Sequence, residues 1–180
     1  MLKVVANNPT VNLVNPVRYF EGKIREPKTK HSFMLRVACG RGYVDMVKYL
    51  IAVPNMDSTV ENNAPLRMAI NGNFTEIVKL LLIHSRIKVS DELMHMTVLQ
   101  NCPQIVEAML PLVPQPKDNL MDSAFYLKYE ATILVLLDDP RLNPMAFEGR
   151  FIQKATEWKN KEILAKIRKH PKYNPTEGIY

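Results

Sequence analysis

Four histidines, two cysteines and one adjacent pair of aspartates are the side chains in this sequence whose types could carry chemistry. Acid–base or nucleophilic catalysis needs such groups to converge. His31, His84, His95 and His170 fall in different segments, with no Ser, Cys or carboxylate at motif spacing. Cys39 and Cys102 lack neighbours at zinc-ligand spacing and are too few for a disulfide framework, so both read as buried, reduced thiols. Asp138 and Asp139 stand before a turn. A calcium site would draw more oxygen ligands from a loop, and the pair reads as a solvated helix end. Phosphate-loop, G-x-G-x-x-G and H-E-x-x-H patterns are absent. The sequence therefore assigns no catalytic, cofactor-binding or metal-binding residue and calls for no cofactor.

The elements that would position any site emerge from self-comparison. Tyr43-Val-Asp-Met-Val-Lys-Tyr-Leu-Ile, Phe74-Thr-Glu-Ile-Val-Lys-Leu-Leu-Leu, Cys102-Pro-Gln-Ile-Val-Glu-Ala-Met-Leu, Glu130-Ala-Thr-Ile-Leu-Val-Leu-Leu-Asp and Asn160-Lys-Glu-Ile-Leu-Ala-Lys-Ile-Arg share an apolar pair at their fourth and fifth positions. The first members, Met46, Ile77, Ile105, Ile133 and Ile163, are spaced 31, 28, 28 and 30 residues apart. Each segment has helical periodicity, and upstream of each lies a second apolar stretch: 33–40, 65–70, 93–99, 120–127 and 151–156. Downstream come Val53-Pro-Asn-Met-Asp, His84-Ser-Arg-Ile-Lys, Asp139-Pro-Arg-Leu-Asn-Pro and His170-Pro-Lys-Tyr-Asn-Pro, with an earlier echo in Asn8-Pro-Thr-Val-Asn. Such stretches stop a helix and turn the chain with one apolar residue tucked inward. One repeat is thus helix, turn, helix, proline-containing loop.

These repeats resemble the ankyrin family. Ala64-Pro-Leu-Arg-Met-Ala-Ile-Asn-Gly follows its T-P-L-H-x-A-x-x-G pattern, with Ala for Thr and Arg for His, and Leu35-Arg-Val-Ala-Cys-Gly-Arg-Gly-Tyr is a second match, again with Arg at the His position. Residues 93–110 match through Met94, His95 and Thr97, while later repeats keep only the hydrophobic pattern. The resemblance implies an all-α, ankyrin-like solenoid of about five helix-turn-helix repeats. Residues 1–31 read as a truncated cap plus an extended basic loop carrying Arg18, Lys23, Arg25, Lys28 and Lys30, residues 32–175 as the repeat domain and residues 176–180 as a tail. The loops also look like those of divergent ankyrin proteins from large DNA viruses and protists.

The composition, 47% hydrophobic and 23% charged, is that of a globular chain. The N-terminus is too short and polar in its apolar patch for a secretory signal, which sets the expectation of a cytoplasmic protein. The net charge of +6 is divided as +4 over residues 1–31, −3 over 32–149 and +5 over 150–180. That pattern departs from the single basic stripe of a nucleic-acid groove. Nucleic-acid binding through the basic ends is kept as the alternative. The resemblance implies instead a non-enzymatic adaptor or inhibitor that meets a protein partner, in the viral or microbial case a host or competitor protein. Its expected contact residues are Arg41, Asn71, Gln100, Lys128 and Trp158 at the ends of first helices, with Tyr126 and Trp158 as aromatic anchors. Trp158 reads equally as a seal on the last repeat. Glu61, Asn62, Asp91, Glu92, Asp118, Glu148 and Arg150 are the candidate loop tips.

Overall fold

Five helix pairs follow one another along the chain, each formed where the apolar periodicity calls for it: α1 (Pro27–Arg41) with α2 (Val44–Ile51), α3 (Val60–Asn71) with α4 (Thr75–His84), α5 (Asp91–Leu99) with α6 (Pro103–Met109), α7 (Asn119–Tyr126) with α8 (Glu130–Leu136), and α9 (Arg150–Glu157) with α10 (Lys161–Lys169). A single 3-10 turn, Leu110–Leu112, extends α6, and no strand occurs among the described residues. The computed structural model describes residues 27–54, 56–84 and 87–175, with side chains from residue 32 onward. The expected cap over residues 1–13, the basic segment up to residue 26 and the tail 176–180 lie outside the described residues, as does the side chain of His31. Helix α1 begins at Pro27, so residues 27–31, expected within the extended loop, are helical. Proline costs little at a first helical position, where its missing N–H has no partner to lose. No described helix is long and apolar enough to cross a membrane.

The chain divides into two compact units, one up to Ile87 and one from Lys88. In the N-terminal unit the core is built from Leu35, Ala38, Leu66, Ile70, Ile77 and Val78, all fully buried. In the C-terminal unit Met94, Ile105, Met121, Ile133, Phe151 and Ile163 play the same part. The first member of the repeated apolar pair is therefore buried in four of the five repeats, and in the remaining one Val47 takes the interior position. Burying each such side chain contributes about 1.5–3 kcal/mol. Cys39 and Cys102 are buried and unpaired, and burial pushes the Cys39 thiol up to about 12.

The turn between the paired helices repeats to the residue. One residue in each takes the left-handed conformation: Gly42 (φ 75°), Asn73 (53°), Asn101 (51°), Lys128 (56°) and Lys159 (54°). The amide that follows it bonds the carbonyl five residues back in four of them, Tyr43 to Ala38, Phe74 to Ala69, Tyr129 to Ala124 and Asn160 to Ala155, at 2.9–3.0 Å. This closure satisfies carbonyls that a helix end would leave orphaned. Its carbonyl is supplied by a fully buried alanine each time, and α5 has Thr97 in that place, its hydroxyl donating to Leu93 O at 2.8 Å. Gly42 also makes room for a ring: a Cβ there would lie 2.6 Å from Phe74.

The outer loops are turns closed by main-chain bonds, Met56 N to Val53 O, Leu142 N to Asp139 O and Tyr173 N to His170 O, with proline second in each. Leu142 is the inward apolar residue, fully buried. Asp138 is exposed, but Asp139 corrects the expectation of a solvated helix end. It is only 8% exposed, because Arg141 folds back onto it, donating Nε at 2.9 Å and Nη2 at 2.5 Å. Arg141 also donates Nη2 to Leu110 O at 2.9 Å and Nη1 to Val113 O at 2.5 Å, so one guanidinium joins the loops of two successive repeats. Those bonds, above all the side-chain bond from Arg141, hold the Asp139 carboxyl below the usual carboxylate range.

Candidate binding surface

Counted from the left-handed residue of each turn, the exposed end of a first helix has two positions. Two places before it stand Gly40, Asn71, Leu99, Tyr126 and Glu157, and one place before it stand Arg41, Gly72, Gln100, Leu127 and Trp158. All are exposed except Trp158, which is half-buried. The expected contact residues thus do not share one register. Arg41, Gln100 and Trp158 correspond, Asn71 and Tyr126 lie one residue earlier, and Lys128 is itself the left-handed residue. Leu99 and Leu127 also stand at these positions, outside the contact residues that the resemblance implies. The sequence carries their signal: aliphatic side chains at helix ends where the other repeats have polar residues, glycine or an aromatic ring.

In the C-terminal unit α7 packs against both α5 and α9. Leu99 (45% exposed), Tyr126 (80%) and Leu127 (36%) lie at corresponding ends of neighbouring helices. Beneath them runs a stack of rings. Phe125 lies on Phe151 at 4.7 Å and on Trp158 at 5.6 Å between centroids, and Phe147 meets Phe151 edge-on at 5.8 Å. Trp158 therefore packs on the buried Phe125 while part of its surface stays open. Cations sit on the outer rings: Lys128 Nζ lies 5.4 Å from the Trp158 centroid, Lys154 Nζ 5.6 Å from Tyr126, and the Arg150 guanidinium carbon 5.6 Å from Phe147. Such contacts are worth about 0.5–1 kcal/mol at exposed sites. In the N-terminal unit the first helices expose Phe33, Val37 and Met68, with Arg36 over the Phe33 ring at 5.7 Å.

Most of the candidate loop tips are bonded to a neighbouring repeat. Glu61 pairs with Arg36, Asp91 with Lys117 at 2.5 Å, Arg150 with Asp122 at 3.3 Å, and Asp118 accepts from Asn143 N at 2.7 Å. Glu61 and Asn62 belong to a run of three left-handed residues ending at Asn63, which breaks the start of α3 with a kink, and Glu148 to a second run, Phe147 to Gly149. Glu92, in the first turn of α5, and Asn62 and Glu148 are exposed.

His95 has a serine partner after all, supplied at the repeat spacing: its Nε2 lies 2.9 Å from Ser123 Oγ, 28 residues on. A hydroxyl beside an imidazole is the geometry of a nucleophile and its base, but here the pair is half-buried and bridges α5 to α7. Thr132 of α8 likewise reaches the turn between α5 and α6, donating to Asn101 Oδ1 at 2.9 Å, and His170 Nε2 meets Asp139 O at 3.2 Å. Among the described residues no group of three His, Cys, Asp or Glu side chains gathers in a metal-binding arrangement.

A family model of ankyrin repeats, in three copies, matches residues 2–92. The match takes in the segment read from the sequence as a cap and extended loop, and it ends inside α5. Comparison with curated proteins gave no match, and neither did comparison with solved structures. The matched residues are half of the chain, and the same helix-turn-helix unit with the same left-handed turn residue continues beyond them to α10; the chain belongs to the ankyrin-repeat family.

Proposed function

We propose that the chain is a non-enzymatic protein-binding module, an adaptor or inhibitor, that meets its partner through the exposed ends of its first helices. The observation that carries this reading is the apolar set Leu99, Tyr126 and Leu127, left open on helices whose other apolar residues are largely buried. Exposed apolar groups rimmed by charge mark interaction sites, and aromatic side chains dominate interface energies. A cytoplasmic setting, and a host or competitor protein as target of a viral or microbial chain, complete the proposal; the style of the proline-containing loops supports that part.

The test is capture of a partner by the full chain, its identification by mass spectrometry, and titration of the purified partner. Tyr126→Ala or Leu127→Ser should each weaken binding by more than about 1 kcal/mol, while replacing Lys23, Arg25, Lys28 and Lys30 together with Gln should leave it intact. Substitutions at the helix ends that leave binding unchanged would overturn the surface. Steeply salt-dependent DNA or RNA binding that collapses in the quadruple variant would favour the basic ends instead.

A further inference from the structure

Around Tyr126 and Trp158 two lysines are held in place without an anion. Lys154 Nζ stands over Tyr126 and Lys128 Nζ over Trp158. Lys154 and Trp158 are four residues apart at the C-terminal end of α9, so they lie on the same helix face about 5–6 Å apart at Cβ. Tyr126 and Lys128 flank Leu127 at the end of α7. The four side chains are thus linked in a series, Tyr126 to Lys154, Lys154 to Trp158 along α9, and Trp158 to Lys128, with Leu127 exposed between the two residues of α7's end. The third cation over these rings, Arg150 at Phe147, is by contrast paired with Asp122. Neither Lys128 nor Lys154 meets a carboxylate among the described residues. A ring face orients an ammonium group but does not neutralise it, so each keeps its full attraction for an anion.

We infer that this cluster is the specificity site of the surface proposed above, and that it selects an acidic peptide segment of a protein partner, with two carboxylates set either side of a bulky apolar residue. The inference rests on the protein-binding reading. The apolar residue covers Tyr126 and Leu127, and the carboxylates meet Lys128 and Lys154. Ammonium groups already oriented by rings lose less side-chain freedom when an anion arrives.

Trp158 is the single tryptophan of the chain, so its emission reports on the cluster directly. The experiment selects a phage-displayed random library of twelve-residue peptides on the immobilised full chain, then measures the winners by tryptophan fluorescence. Selected peptides are expected to carry Asp or Glu on both sides of Leu, Ile, Phe, Tyr or Trp. Their Asn/Gln counterparts, and the Lys128→Gln/Lys154→Gln variant, should bind at least about tenfold more weakly, while Lys128→Arg/Lys154→Arg stays within about threefold and affinity falls with salt. Melting curves of the variants check that the fold is kept. Enrichment of neutral or basic peptides, no enrichment, or affinity indifferent to the Gln variant overturns the inference; so does an oligothymidine that binds more tightly than any peptide and is lost in that variant. A captured partner that is lost with Tyr126→Ala yet indifferent to Lys128→Gln/Lys154→Gln leaves the surface standing and removes only its acidic preference.

Discussion

Lys159 takes φ 54° and Gly42 φ 75° at the same place in two turns, and the difference between them sets opposite outcomes for substitution. A side chain in the left-handed region costs roughly 1–2 kcal/mol, part of which glycine gives back through its greater freedom when unfolded. Lys159→Gly is expected to raise stability by about 0.5–1 kcal/mol in urea melts. Gly42→Ala should lower it by at least about 1 kcal/mol, since it adds backbone strain to a collision with the Phe74 ring. Asp139 carries a pH dependence. Its carboxyl titrates below its unfolded value in the folded chain, so its stabilisation is present above the unfolded value of about 3.9 and is lost as pH falls through the folded one. Asp139→Asn should cost about 1.5–3 kcal/mol at pH 7, the usual range for hydrogen bonds to charged groups. The gap to the unmodified chain should narrow below about pH 4, read from unfolding midpoints across pH.

At the scale of helices and turns, much of the architecture was legible because burial acts on a short period. Ile77, Ile105, Ile133 and Ile163 announced second helices by spacing alone, and each is fully buried. Ile105→Ala should therefore cost about 2–5 kcal/mol by equilibrium unfolding. Less legible were the links between repeats, because a residue that bonds a partner 28 or 31 positions away leaves no local pattern. His95 with Ser123, Thr132 with Asn101 and Arg141 with Leu110 are of this kind. A double-mutant cycle of His95→Ala and Ser123→Ala should return a coupling of about 0.5–1.5 kcal/mol. The turn alanines Ala124 and Ala155 were visible in the sequence but hidden by the loss of the motif around them. The candidate surface was legible in part: Tyr126, Lys128 and Trp158 were named from the family pattern, whereas Leu99 and Leu127 depend on knowing which residue of each turn is left-handed.

Within each unit the side-chain bonds between repeats of the described residues join neighbours in sequence, as in Lys48 to Glu76 in the N-terminal unit and Lys166 to Asp138 in the C-terminal one. Stability in such a chain is approximately a sum over repeats and nearest-neighbour interfaces. Ile167→Ala, at the last helix, is expected to release amide protection in α9 and α10 while α3 and α4 keep theirs; hydrogen exchange resolved by mass spectrometry measures both, and a uniform loss would contradict it. The recurring turn has a further consequence. Because main-chain bonds close it in four of the five repeats, its left-handed position holds Gly, Asn or Lys, at a cost that depends on the residue and reaches roughly 1–2 kcal/mol. That makes it a writable site within an otherwise fixed scaffold. At position 128 the letter written there is a lysine that stands over Trp158; on the proposed reading of this surface, a place where the fold asks only for a bend encodes whom the chain recognises.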